Sequence, residues 1–158
     1  MKKLLCLAVI ALFAMSTMNA QGFKPGVVVG LPIGDAGDFS SFTIGVDVSY
    51  FWEVSDQFDL GIVSGFTNSF IKSEFDGFDD VQFLPVGAGA RYNASEEFYI
   101  GADLGYGIGI NDGNEGGFYY RPRVGYQITE TISLNLSYAS ISNDGSWDNI
   151  MFGVEFGL

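Results

Sequence analysis

Arg91, Arg121 and Arg123 are the arginines of this chain, and four carboxylates, Asp47, Asp59, Asp103 and Glu155, share their parity in stretches that alternate apolar and polar residues. Guanidinium and carboxylate groups in a low-dielectric interior have two uses: they neutralise one another as a network, or they line a narrow path for ions. Other chemistries find little support. Histidine is absent, which removes His-dependent triads, most zinc sites and the usual general base. Ser64, in Gly61-Ile62-Val63-Ser64-Gly65, lacks nucleophile-elbow spacing. The glycines at 87 and 89, and at 105, 107 and 109, lie within strand patterns with no helix following, so they read as packing positions and not as a phosphate loop. Asp112, Asn114 and Glu115, with Asp144 and Asp148, offer oxygen ligands without the full spacing of a calcium loop. Solvated acidic loops with weak affinity for divalent cations are the expectation there. No catalytic residue, cofactor or resident metal is expected.

The elements that position the charged set are strands. Phe42, Ile44, Val46, Val48, Tyr50 and Trp52 alternate with Thr43, Gly45, Asp47, Ser49, Phe51 and Glu53. Period two continues from Phe58, from Leu84 to Tyr92, from Phe98 to Ile110, from Phe118 to Ile128, from Ile132 to Ile141 and from Asn149 to Leu158, with a less regular strand over Phe23 to Ile33. That makes eight strands. Connections are long or acidic at 34–41, 71–80, 111–117 and 142–148, and short at 54–57, 93–97 and 129–131. The pattern predicts an all-β fold, an eight-stranded antiparallel up-and-down barrel with both termini on the side of the short turns. Pro85 and Pro122 fall within strands and lack a donor, so bulges or rim positions are expected at both.

Polar-face composition decides which way the barrel faces. Gly45, Gly61, Gly65, Gly87, Gly89, Gly101, Gly105, Gly107, Gly109, Gly125, Gly153 and Gly157 fall on that face. Glycine weakens a water-exposed strand and covers nothing, but it fits an eight-stranded lumen barely wide enough for side chains. A charge facing lipid costs roughly 2–4 kcal/mol at the bilayer midplane. The polar face is therefore expected inside, making a transmembrane barrel whose lumen holds the charged network. Apolar-face aromatics form two girdles, Tyr50, Trp52, Phe58, Tyr92, Phe98 and Tyr126 near the short turns, and Phe42, Phe66, Phe118 and Tyr138 near the long loops.

Met1, Lys2 and Lys3, the apolar run Leu4 to Met15, and Ser16 to Ala20 have the layout of a secretory signal peptide, with cleavage expected after Ala20. The domain division is 1–20 signal peptide and 21–158 barrel. Cys6 would leave with the signal, so no disulfide is expected. Lys2 and Lys3 leave too, and five basic against nineteen acidic residues give 5 − 19 = −14. No nucleic-acid partner is expected. Ten of the nineteen acids, Asp35, Asp38, Glu74, Asp76, Asp79, Asp80, Asp112, Glu115, Asp144 and Asp148, fall in the four long connections. That predicts a negative outer rim suited to divalent cations bridging lipid phosphates or to a basic partner.

The C-terminal alternation Ile150, Phe152, Val154, Phe156, Leu158 resembles the assembly signal of outer-membrane barrels, with leucine where that signal usually ends in phenylalanine. The segment Phe83-Leu84-Pro85-Val86-Gly87-Ala88-Gly89-Ala90-Arg91-Tyr92 looks like the fourth strand of the outer-membrane β-barrel family related to small porin-like and OmpA- or OmpX-like barrels. The resemblance implies the outer membrane of a Gram-negative bacterium, contact with outer-membrane lipid, insertion by the barrel-assembly machinery, and no catalytic residues to carry over. A closed barrel has no free edge, so a monomer is expected. The functional expectation is a structural or interaction role in the cell envelope with the lumen plugged. A narrow porin-like channel and a soluble exported ligand-binding barrel are the alternatives.

Overall fold

The computed structural model describes residues 22–75 and 77–157. Among these, eight antiparallel strands close into a single barrel in sequence order, with the first pairing the last. The strands are β1 (Phe23–Ile33), β2 (Ser40–Ser55), β3 (Phe58–Ile71), β4 (Val81–Asn93), β5 (Phe98–Gly109), β6 (Gly117–Thr129), β7 (Ile132–Asn143) and β8 (Gly145–Phe156). A five-residue helix, α1 (Asp35–Phe39), joins β1 to β2, and a single 3₁₀ turn, Ser73–Phe75, lies between β3 and β4. The expected signal peptide lies outside the described residues, as does Leu158.

Period two fixes the faces. Val27, Val29, Leu31, Ile44, Val46, Leu60, Ile62, Ile100, Leu104 and Leu136 point outward and are exposed, while Thr43, Asp47, Arg91, Asp103, Arg121, Arg123 and Glu155 point inward and are buried. A soluble barrel would need the reverse, because apolar surface is stable only out of water. The soluble-carrier alternative therefore fails on this distribution. Both girdles stand on the outer wall, with Tyr50 against Trp52 and Phe58 against Tyr92 at 5.0 Å toward the short turns, and Tyr120 against Tyr138 at 5.9 Å toward the loops.

The structure departs from the sequence reading in two places. Residues 142–148 are not a long loop, because β7 and β8 stay paired out to Asn143 opposite Gly145, with Asp144 alone at the tip. Asp144 has φ 29°, close to the left-handed region that aspartate tolerates, so Asn-Asp-Gly closes the hairpin where the polar residues around it suggested a loop. The prolines make neither bulges nor rim positions. The β3–β4 ladder skips from Ser64 opposite Val86 to Thr67 opposite Phe83, and the β6–β7 ladder from Tyr120 opposite Ser140 to Arg123 opposite Ser137, each resuming at the same offset. Pro85 and Pro122 interrupt pairing on one side while the strands run on in register. True register shifts occur at strand ends, between Ser40 and Phe42, Glu53 and Ser55, and Gln127 and Thr129.

Candidate functional site

The lumen is filled in layers. Nearest the long loops, Thr43, Ser69 and Asn149 form a hydrogen-bonded row, with Thr43 Oγ1 2.7 Å from both Ser69 Oγ and Asn149 Oδ1, and the Trp147 indole N–H donates to Ser69 Oγ at 3.1 Å. Below this row, Val28, Tyr119, Ala139 and Met151 pack as an apolar layer. The charged layer follows, and beneath it lie the rings of Phe51 and Tyr99.

Register explains the charged layer. Gly26 on β1 lies opposite Asp47 on β2 and opposite Glu155 on β8, so two carboxylates flank one glycine on the same wall. On the facing wall, Gly101 of β5 lies opposite Arg91 and Arg123, and Asp103 lies opposite Gly89 and Arg121. Side chains of this length can reach diagonal partners as well as the residue directly across. Arg123 does so, with Nη2 hydrogen-bonded to its diagonal neighbour Asp103 Oδ2, while Nη1 reaches past β7 to Glu155 Oε1 on β8 at 2.6 Å. Arg121 turns from Asp103 and crosses the lumen to Asp47 at 2.7 Å, while its Nε donates to Ser137 Oγ at 2.8 Å. Arg91 Nη1 lies 2.7 Å from Asp103 Oδ1, an ion pair by distance whose N–H is aimed elsewhere, at the Ala90 carbonyl 2.9 Å away. Its guanidinium sits 4.5 Å over the Phe51 ring, where a cation is attracted to the π face. The Tyr99 hydroxyl donates to Glu155 Oε2 at 2.9 Å.

Three arginines thus meet three carboxylates, 3 − 3 = 0, and no side chain of the six is more than 10 % exposed. Charge balance is what makes such burial tolerable, since one unpaired ion would cost several kcal/mol. Space is as tight as charge. The hollow among Asp47, Val63, Asp103, Arg121 and Glu155 measures about 10 Å³, and the one between Thr67, Phe83, Trp147 and Met151 about 20 Å³. Glycines make this filling feasible. At Gly125 a Cβ would strike the Tyr99 ring, and at Gly89 it would sit 2.7 Å from Asp103 Oδ1 and 3.0 Å from both Phe51 and Val63.

Six of the seven residues singled out in the sequence come together in this layer. The exception is Asp59, which faces inward with Arg91 opposite it in register but stands at the short-turn mouth, only partly buried, accepting from Asn93 Nδ2 at 3.1 Å. Arg91 leans instead toward the fully buried Asp103. The sequence reading missed Tyr99, Ser137 and Trp147, whose inward parity was the available signal. Phe152, Val154 and Phe156 of the expected assembly signal lie on the outer wall of β8.

A closed, all-antiparallel barrel with a lipophilic exterior and a polar, packed interior defines a transmembrane β-barrel. The chain belongs to the outer membrane protein beta-barrel domain family, whose model matches residues 5–158. Solved structures agree with that fold. Ail, the attachment invasion locus protein of Yersinia pestis, is similar at 18% identity and TM-score 0.60, over 85% of this chain and 95% of that one. Neisserial surface protein A matches at 15% identity and TM-score 0.53, over 86% and 96%. A de novo designed transmembrane β-barrel matches at 17% identity and TM-score 0.57, over 89% and 98%. No curated protein matches the chain.

Proposed function

We propose that this outer-membrane protein has a structural or interaction role in the cell envelope, with its lumen sealed by the network of Arg91, Arg121, Arg123, Asp47, Asp103 and Glu155. The observation that carries the reading is a charge-balanced, buried layer leaving a hollow of about 10 Å³, which is at the lower bound of what one water needs. An ion path needs continuous water or a row of exchangeable ligands, and pairs at 2.6–2.7 Å offer neither. The narrow-channel alternative is correspondingly weaker.

The same proposal covers biogenesis. Residues 1–20 act as a cleaved export signal, the outward row Phe152, Val154 and Phe156 with Leu158 is read by the barrel-assembly machinery, and the inserted chain is a monomer in contact with outer-membrane lipid. Weak divalent-cation binding at the acidic loops links the rim to neighbouring lipid phosphates. Planar-bilayer recording of the refolded chain, selected for heat-modifiable migration, tests the seal. A bilayer that stays silent after insertion is expected, and discrete conductance steps in the unmodified protein would reject the sealed lumen in favour of the pore.

A further inference from the structure

At the loop end the barrel opens into a vestibule of about 770 Å³, a volume within the roughly 300–1,000 Å³ typical of small-molecule sites. Its walls combine two kinds of group. Phe39, Phe75, Phe78, Phe83 and Trp147 supply aromatic surface, and Asp79 and Asp112 supply negative charge. Among the described residues, no basic side chain lines it. Lys72, the basic residue of these loops, donates to the Asp38 carbonyl at 3.2 Å.

The cup is braced before any ligand arrives. Phe39 of α1 packs on Phe75 with ring centroids 5.1 Å apart, and the Lys72 amide donates to the Phe39 carbonyl at 2.9 Å, tying the first loop to the second. Asp80 accepts from the Ile71 amide at 3.1 Å and from Asn68 Nδ2 at 2.9 Å. Asn114 Nδ2 donates to the Gln82 carbonyl at 2.9 Å, tying the third loop to β4. Trp147 is fixed through Ser69, so the floor does not depend on a mobile ring. Phe78 is the contrast, a phenylalanine left 76% exposed at the mouth. With Phe39, 47% exposed, it leaves aromatic surface at one cavity, and a contiguous apolar patch, unlike a lone exposed side chain, marks a binding site.

We propose that this vestibule binds a small organic cation with an apolar body, an ammonium or quaternary ammonium group carried on an aromatic or branched aliphatic frame. Aromatic faces attract such a cation through the ring quadrupole, and they take up its apolar part as well. Asp79 and Asp112 select the sign, and the surrounding acidic loops raise the local concentration of cations while repelling anions. Two carboxylates are too few to hold a bare divalent ion tightly, and a neutral hydrocarbon leaves them without a partner. The site is separate from the charged layer, so it stands whether or not the lumen is sealed.

The test uses the folded chain in octyl glucoside, with Trp52→Phe leaving Trp147 as the single tryptophan. Benzyltrimethylammonium should change Trp147 emission saturably, and benzyl alcohol should bind at least about tenfold more weakly, the difference a cation–π and carboxylate site confers. Asp79→Asn with Asp112→Asn should weaken the cation by about tenfold or more. Phe78→Ala, a change at an exposed side chain that folding tolerates, should weaken it as well. A response that does not saturate, equal affinity for the alcohol and the cation, or unchanged affinity in both variants would overturn the proposal.

Discussion

The charged layer rests on pairing among particular side chains, and its energetics are asymmetric. Removing Asp103 leaves Arg91 and Arg123 buried with one carboxylate fewer between them, and breaking a buried pair by deleting one partner costs about 3–5 kcal/mol. Asp103→Asn should therefore lower the unfolding free energy, read from urea titration in lipid vesicles, by that amount. Asp59→Asn should shift it by less than about 1 kcal/mol, since a partly solvated group loses little. Parity placed both aspartates in the lumen, so the alternation was legible in the sequence. Height along the barrel axis was not, because it depends on the offsets between successive strand pairs, and those offsets alone separate Asp59 at the mouth from Asp103 in the centre. Gly125 makes a second test at this scale. Gly125→Val would push the Tyr99 ring off Glu155 and should destabilise the barrel by about 1–3 kcal/mol in the same titration.

At the scale of elements, strand number and face were readable because lipid outside and a crowded lumen inside enforce period two on every strand. The ends were harder. Ser140, Ser142 and Ser146 carry no apolar contrast, so the alternation ends β7 at Ile141, begins β8 at Asn149 and leaves Trp147 in a connection, whereas in the structure it is a β8 residue that floors the vestibule. The hairpin itself turns on Asp144, and Asp144→Val, a β-branched residue at positive φ, should cost about 1–2 kcal/mol in thermal or urea unfolding. The prolines show how a barrel accommodates a missing donor. Pro85 and Pro122 each open a short gap in one ladder, and continuous pairing on the opposite side, at Gly107 and Ala102, keeps the strand in place.

For the molecule as a whole, the two faces carry opposite tolerances. Leu104 lies at the middle of β5 and is exposed on the lipophilic wall, so Leu104→Arg should cost about 2–4 kcal/mol in vesicles. Inside, three positive and three negative groups cancel, while the connections above hold Asp35, Asp38, Glu74, Asp79, Asp80, Asp112 and Glu115 and none of the arginines. The molecule thus separates a neutral, packed interior from a negative rim. The direct test of the sealed lumen is single-channel recording of the heat-modifiable, folded Arg121→Ala/Arg123→Ala variant beside the unmodified chain. Removing both guanidiniums opens the layer between Asp47 and Glu155 and leaves unpaired carboxylates that draw in water and cations. Discrete, cation-preferring conductance in the variant with silence in the unmodified chain is the predicted result. Silence in both, or equal conductance in both, would contradict the assignment of the seal to these residues.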